Sequence, residues 1–236
     1  MRAQVFLGGA AGLTTWRRDI AIPALEAVGI TYYNPQLALG EWSETCEAAE
    51  MQAKDEADIL LFVINAETRG VATVAEVAYY MGLGRQLALA ITDIPANATL
   101  YNTPLNQPEI DDLNRGRIFL RTMARQHHIP VHETIEAAVE YTITRLQHRE
   151  DIHAVLADIR FPNCAFHLEP NGDAHLLQIR STVNNFTGRK WHIEPTATRA
   201  EIVRTALKAA LTWQEHEARE SFTYRGKPVH GPHFDI

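Results

Sequence analysis

The first part of the chain switches repeatedly between two hydrophobic periods. Short apolar runs of strand length, VFLGG (5–9), TYYNP (31–35), DILLFVIN (58–65), QLALAITD (86–93) and IPVHE (129–133), are separated by stretches with helical spacing at 16–29, 43–57, 73–84, 109–128 and 134–150. DILLFVIN is apolar almost without a break, the pattern of a parallel strand covered on both faces. The alternation predicts a doubly wound, five-stranded parallel α/β sheet. Thr134 is placed to cap the last of these helices, and residues 94–108, with their prolines and asparagines, read as irregular.

Beyond Asp151 the order changes. Two alternating runs, CAFHLEP and AHLLQIRSTV, flank the hairpin signal NGD (171–173), and GRKWHIEP supplies a third extended segment. Thr198 followed by Glu201 is a capping-box pattern, and Ile202, Ala206, Ala209, Ala210 and Trp213 recur at helical spacing behind it. Residues 151–236 therefore read as a small α+β module, and residues 1–150 as a separate flavodoxin- or Rossmann-like domain. Charge divides the same way, with 12 basic and 19 acidic residues in 1–150 against ten of each in 151–236.

The net charge of −7 argues against a nucleic-acid polymer as partner, because neutralising phosphates needs a basic stripe. Arg189, Lys190 and Trp191 could contact a nucleotide, but the module is neutral and an exposed hairpin end is the simpler reading. The longest uninterrupted aliphatic or aromatic run, ILLFVI (59–64), is far short of a membrane span, and MRAQVFLGG lacks a signal-peptide plan, so a cytoplasmic location without membrane contact is expected. Cys46 and Cys164 are too few for a disulfide framework or a thiolate zinc site. His192, His216, His230 and His233 lack the spacing of metal ligands and read as scattered surface residues, so no metal or cofactor is expected.

In an open parallel sheet, ligands bind outside the carboxyl ends of the strands, so the residues just after each strand are the candidates for chemistry. After the first strand come Gly8, Gly9, Gly12, Trp16 and Arg17, where small residues and a helix start suit an anion, or equally a tight turn. After the second, Tyr33 and Asn34 offer an aromatic face and an amide for a planar ring, or an Asn-Pro turn beside core tyrosines. After the third, Asn65, Glu67, Arg69, Gly70 and Thr73 lead into a helix carrying Glu76. A carboxylate in the first turn of a helix with such apolar surroundings should be partly buried, which points to a task; a helix-dipole role is the alternative. Asp93 ends the fourth strand as a turn former or an acid, and Asn114 lies on the next helix, on a solvated face or at a subunit edge.

Taken in order, FLGG, YYNP, ADILLFVIN and TRGVATVAE make residues 3–145 resemble the nucleoside 2-deoxyribosyltransferase-like family. The resemblance implies that Glu76 attacks the anomeric carbon of a 2-deoxyribose and that a neighbouring acid assists the departing base. Asn65 stands where the family pattern leads one to expect an aspartate, which leaves Glu67 or Asp93 as proton donors. Gly8, Gly9, Trp16, Arg17, Tyr33, Asn34, Arg69, Gly70 and Thr73 would bind substrate. Asn114 would complete the pocket of a neighbouring subunit in a homodimer or larger homo-oligomer.

The resemblance implies a small-molecule nucleoside or nucleotide and a free base as partners, with transfer to another base or to water. Arg17, Arg18 and Arg69 leave a 5′-phosphate open. Asn65 keeps a second reading alive, a nucleotide-sensing module that holds the pocket without turnover. A structural domain with no ligand fits poorly with four polar or glycine-rich clusters, all at strand ends. The C-terminal segments GRKWHIEP and YRGKPVHGPHFD resemble a small uncharacterised bacterial domain, which implies no activity.

Overall fold

A computed structural model of the chain describes residues 2–10, 14–37, 44–159, 164–171, 174–182, 187–220, 223–224 and 227–228. The chain forms two compact units, 1–146 and 147–236. In the first, β1 (Val5–Gly9), β2 (Tyr32–Tyr33), β3 (Ile59–Ile64), β4 (Leu87–Ile91) and a later strand, β7 (Val131–His132), form a parallel sheet in the order β2-β1-β3-β4-β7. The direction of winding reverses between β1 and β3, which makes this pair the topological switch point of the sheet.

All six residues of β3 are buried, and their alternation explains why. Ile59, Leu61 and Val63 face a cluster with Trp16, Leu25, Ala138 and Leu146, from α1 (Ile22–Ala27), the turn before it and α5 (Ile135–Asp158). Leu60, Phe62 and Ile64 face Val77, Tyr80, Met81, Leu120 and Ala124, from α3 (Val71–Gly82) and α4 (Gln107–Gln126), with Ala53 of α2 (Glu44–Glu56) packed beside them. A strand at the centre of a doubly wound sheet has no polar face, which is the unbroken apolar run seen in the sequence.

Several local features differ from the pattern read along the sequence. The first helix begins with a π-helical turn, Arg17–Ala21, closed by the Ile22 amide on the Arg17 carbonyl. Residues 94–108 contain a tight hairpin, β5 (Thr99–Leu100) against β6 (Thr103–Pro104), and they also include the start of α4. The two hairpin turn residues, Tyr101 and Asn102, both have positive φ, as a two-residue hairpin turn requires, but the strands are too short to show a period. Helix α4 starts two residues earlier than its apolar spacing suggested, at Gln107, because Asn106 caps it by accepting the Glu109 amide at 2.9 Å. Helix α5 is capped by Thr134, whose hydroxyl accepts the Ala137 amide at 3.1 Å, and it runs on past Glu150 to Asp158.

In the second unit, β8 (Cys164–Asn171), β9 (Ala174–Ser181) and β10 (Thr187–Ile193) form an antiparallel sheet with β9 in the centre. Leu177 and Ile179 of β9 pack with Ile152, Val155 and Leu156 of α5 and with Ile202, Ala206, Ala210 and Trp213 of α6 (Arg199–Glu220). The capping box forms: the Thr198 amide donates to Glu201 Oε2 at 2.8 Å, and the Glu201 amide returns to the Thr198 hydroxyl at 3.4 Å. None of the described helices is long and apolar enough to cross a membrane.

Candidate active site

The end of β1 is built by close contact. A Cβ on Gly8 would lie 2.2 Å from the Phe62 ring on the neighbouring strand, and one on Gly9, whose φ is +146°, would lie 2.8 Å from the Val63 carbonyl. The π-helical turn brings Trp16 and Arg17 back over this end, and both are buried. The Arg17 guanidinium donates to the carbonyls of Leu7 (3.0 Å), Gly9 (2.9 Å) and Ala10 (3.2 Å). Burial brings its pKa down to about 10, with the charge of Glu50 opposing, so it remains a cation at neutral pH. Its donors are turned onto the backbone, and Arg17 secures the strand end. Gly12 lies outside the described residues.

Ends β3 and β4 are tied together by a second fully buried arginine. Arg117 of α4 donates to the carbonyls of Asn65 (3.2 Å), Thr68 (3.0 Å), Thr92 (3.1 Å) and Leu113 (3.1 Å). Around it, Asn65 Nδ2 donates to Glu67 at 2.9 Å, and Gly70, at φ +66°, turns the chain into α3. Arg69 pairs with Glu109 at 2.9 Å, and Asp93 with Arg121 at 2.7 Å. The Asn114 amide is half-buried and spans the Ile94 backbone, accepting from its N–H and donating to its carbonyl at 2.9 Å each. Thr73 is buried in the first turn of α3, and Asn34 is exposed and accepts the Gln36 amide at 3.0 Å.

Glu76 sits elsewhere, in a cavity of about 470 Å³ lined by Glu47, Glu50, Met51, Lys54, Tyr79 and Tyr80 among others. Because α3 begins at Val71, Glu76 lies in its second turn rather than its first, beyond the reach of the helix-dipole effect offered as an alternative. Its side chain keeps 35% of its exposure and receives a hydrogen bond from the Lys54 ammonium. Lys54 is only 5% exposed; it also pairs with Glu50 at 2.7 Å and lies 5.1 Å above the Phe6 ring. Burial pulls the Lys54 ammonium down, but its hydrogen bonds and charge contacts with Glu50 and Glu76 outweigh burial and hold it above the ordinary lysine value.

Of the substrate residues read from the sequence, Tyr33 shares the electrostatic surroundings of this cavity. Its ring stacks on Phe6 at 5.8 Å. Burial first, then the charges of Glu50 and Cys46, push its hydroxyl up against the opposing Lys54, so it stays a neutral donor. Tyr80, which lines the cavity, is pushed up as well, mainly by burial. The cavity thus combines three carboxylates, of which Glu50 and Glu76 are paired with the Lys54 ammonium and Glu47 is exposed, with aromatic walls.

Lys54, Glu50 and Arg117 were not singled out by the sequence reading. A signal existed for Arg117, which recurs at seven-residue spacing with Ile110 and Ala124 on the apolar face of α4. Lys54 gave none beyond its i, i+4 spacing from Glu50. In the second unit, His192 pairs with Glu194 at 3.2 Å, and Arg189 stacks over Trp191 at 4.2 Å. The side chains of His216, His230 and His233 lie outside the described residues, among which no group of three metal-ligating side chains occurs.

No curated protein matches the chain. A family model does match, from β1 through β4 and across Glu76, ending at Ile94 and so short of the 3–145 that the motifs suggested. Over residues 2–94 the N-terminal unit is a match to the nucleoside 2-deoxyribosyltransferase-like family.

Proposed function

We propose that the N-terminal unit cleaves the N-glycosidic bond of 2-deoxyribonucleosides and passes the deoxyribosyl group to another base or to water, with Glu76 as nucleophile. The observation that carries this reading is the half-open Glu76 carboxylate in a cavity walled by tyrosines. A carboxylate oxygen attacks C1′, the bond from C1′ to the base nitrogen breaks, and its electron pair leaves with the base, which takes up a proton. A second base or water then attacks C1′ from the vacated face, and the carboxylate is released with retention.

Of the two acids considered as proton donors, Glu67 is exposed at the end of β3 with its carboxylate hydrogen-bonded to Asn65, and Asp93 is paired with Arg121; neither lines the Glu76 cavity, so the proton reaches the departing base from solvent or from a group that the substrate itself brings close. Nucleosides are favoured over nucleotides, because the arginines that suggested phosphate are engaged: Arg17 by carbonyls, Arg18 by Asp19 and Arg69 by Glu109. We further propose a homodimer or larger homo-oligomer, supported by the exposed Val71 and Tyr79 on the helix that bears Glu76 and by Phe119 on α4; light scattering tests it.

The test is a panel of deoxynucleosides and ribonucleosides, with and without an acceptor base, resolved by chromatography. Deoxynucleosides should release base faster, since a 2′-hydroxyl destabilises the developing oxocarbenium ion. Glu76→Ala should lower release by roughly 10³-fold or more while folding normally. Equal turnover by the folded variant would remove the assignment.

A further inference from the structure

Lys54 is a buried cation with two carboxylate partners, and the second partner is the unusual one. An ammonium taken out of water carries a penalty of several kcal/mol unless it is paired and hydrogen-bonded. Glu50, one turn back on the same helix and 2.7 Å away, already supplies a counter-charge. The same ammonium nonetheless crosses from α2 to α3 to take Oε1 of Glu76. Among the described residues it also lies over the face of Phe6 at 5.1 Å, within electrostatic reach of the hydroxyls of Tyr33 and Tyr80, both neutral, and Glu47 lines the same cavity.

We propose that Lys54 and Glu50 are a positioning pair for Glu76: the Lys54 ammonium holds Oε1 so that Oε2 is the oxygen presented to C1′, and Glu50 keeps Lys54 paired while Glu76 is esterified. The inference rests on the proposed nucleophilic role of Glu76 and adds two residues to it.

Charge balance explains why both carboxylates are needed. At rest, Glu50, Lys54 and Glu76 sum to one negative charge. When Oε2 bonds to C1′ and the electron pair of the broken bond leaves with the base, Glu76 becomes a neutral ester, and Lys54 and Glu50 remain as a balanced pair. Without Glu50, the same step would leave the buried Lys54 ammonium with neither of the carboxylates it is paired with at rest, which is costly for a cation only 5% exposed. When water or a second base takes the deoxyribosyl group, the carboxylate returns to Lys54 and the cycle closes.

The experiment uses the full chain and the variants Lys54→Met, Lys54→Arg, Glu50→Gln and Glu76→Gln, with thymidine and deoxyadenosine as substrates. Lys54→Met keeps the volume of the stem and removes the charge. It should lower kcat by roughly 10- to 100-fold, the range for a misplaced reacting group, while KM changes little. Lys54→Arg should fall between Lys54→Met and wild type. Glu50→Gln should slow the first release of base in a single turnover.

A second readout needs no turnover. The chain has four lysines, so the ammonium resonances of protein labelled with ¹⁵N can be assigned by substitution. The Lys54 signal should be protected from exchange and should move in Glu76→Gln and in Glu50→Gln.

Wild-type kcat in Lys54→Met, alongside an inactive Glu76→Ala, would overturn the positioning role and leave the nucleophile standing. A Lys54 resonance that ignores Glu76→Gln would overturn the ion pair itself. Equal base release by wild type and Glu76→Ala would instead remove the nucleophile, and this inference with it.

Discussion

Arg17 and Arg117 show how a residue's task can differ from the one its type suggests. Arg17 follows a glycine-rich strand end, so the sequence presents it as an anion ligand, but its donors go to the carbonyls of Leu7, Gly9 and Ala10. That arrangement depends on the π-helical turn, which has no pattern of its own in the sequence. Arg117 does the same for β3 and β4, and burial holds its guanidinium below the ordinary arginine value. Arg117→Met should destabilise the protein by about 3 kcal/mol or more, because four carbonyls lose a charged donor at a fully buried site. Arg117→Lys should not restore it, since a single ammonium cannot reach carbonyls arranged for a planar fork. Urea unfolding of both variants checks this, and wild-type midpoints would show that the strand ends hold without the clamp. The partial burial of Glu76 was legible, because a carboxylate in an apolar helix after the central strand stands out. The ion pairs of Lys54 with Glu50 and Glu76 were not, because the second joins α2 to α3 across 22 residues of sequence, which no local pattern records.

At the scale of elements, the periodic signals held where burial is two-sided or one-sided over several turns, as in β3 and α4, and TYYNP and IPVHE marked the short strands β2 and β7, but the pattern gave no sign of the hairpin strands β5 and β6. The hairpin at 99–104 closes through Tyr101 and Asn102, without the Asn-Gly pair that usually announces such a turn. Helix α5 outran its expected end because nothing between Glu150 and Asp158 breaks a helix, and Ile152 and Val155 are buried in the core of the second unit. The start of α6 gives a direct test of local chemistry. Thr198→Ala should cost about 1 kcal/mol, the usual worth of such a cap, as read by thermal or urea unfolding. The Thr198 amide first, then its hydroxyl, holds the Glu201 carboxyl below the ordinary glutamate value. A carboxyl depressed in the folded state contributes stability that is present above its unfolded pKa and disappears as pH falls through the folded one. The difference in stability between wild type and Glu201→Gln should therefore shrink as the solution is acidified below the ordinary glutamate range, and a constant difference would exclude the cap as its source.

For the whole molecule, the change from βα alternation to a hairpin and long helix was visible in the sequence, whereas α5 passing unbroken through that change was not. The first unit has its own two-sided core around β3, so a fragment ending at Glu150 should remain folded by circular dichroism and retain binding of a deoxynucleoside. An unfolded fragment would show that the second core, which buries Ile152 and Trp213, is needed for the first to form. The central claim is that the deoxyribosyl group passes through a bond to Glu76, and the most direct measurement is to quench a reaction of the full chain with a deoxynucleoside in acid and map the peptides by mass spectrometry. The account predicts a deoxyribosyl adduct on the peptide containing Glu76, absent from Glu76→Gln. Release of base by the wild-type protein with an adduct on another residue, or with the same release from Glu76→Gln, would contradict it.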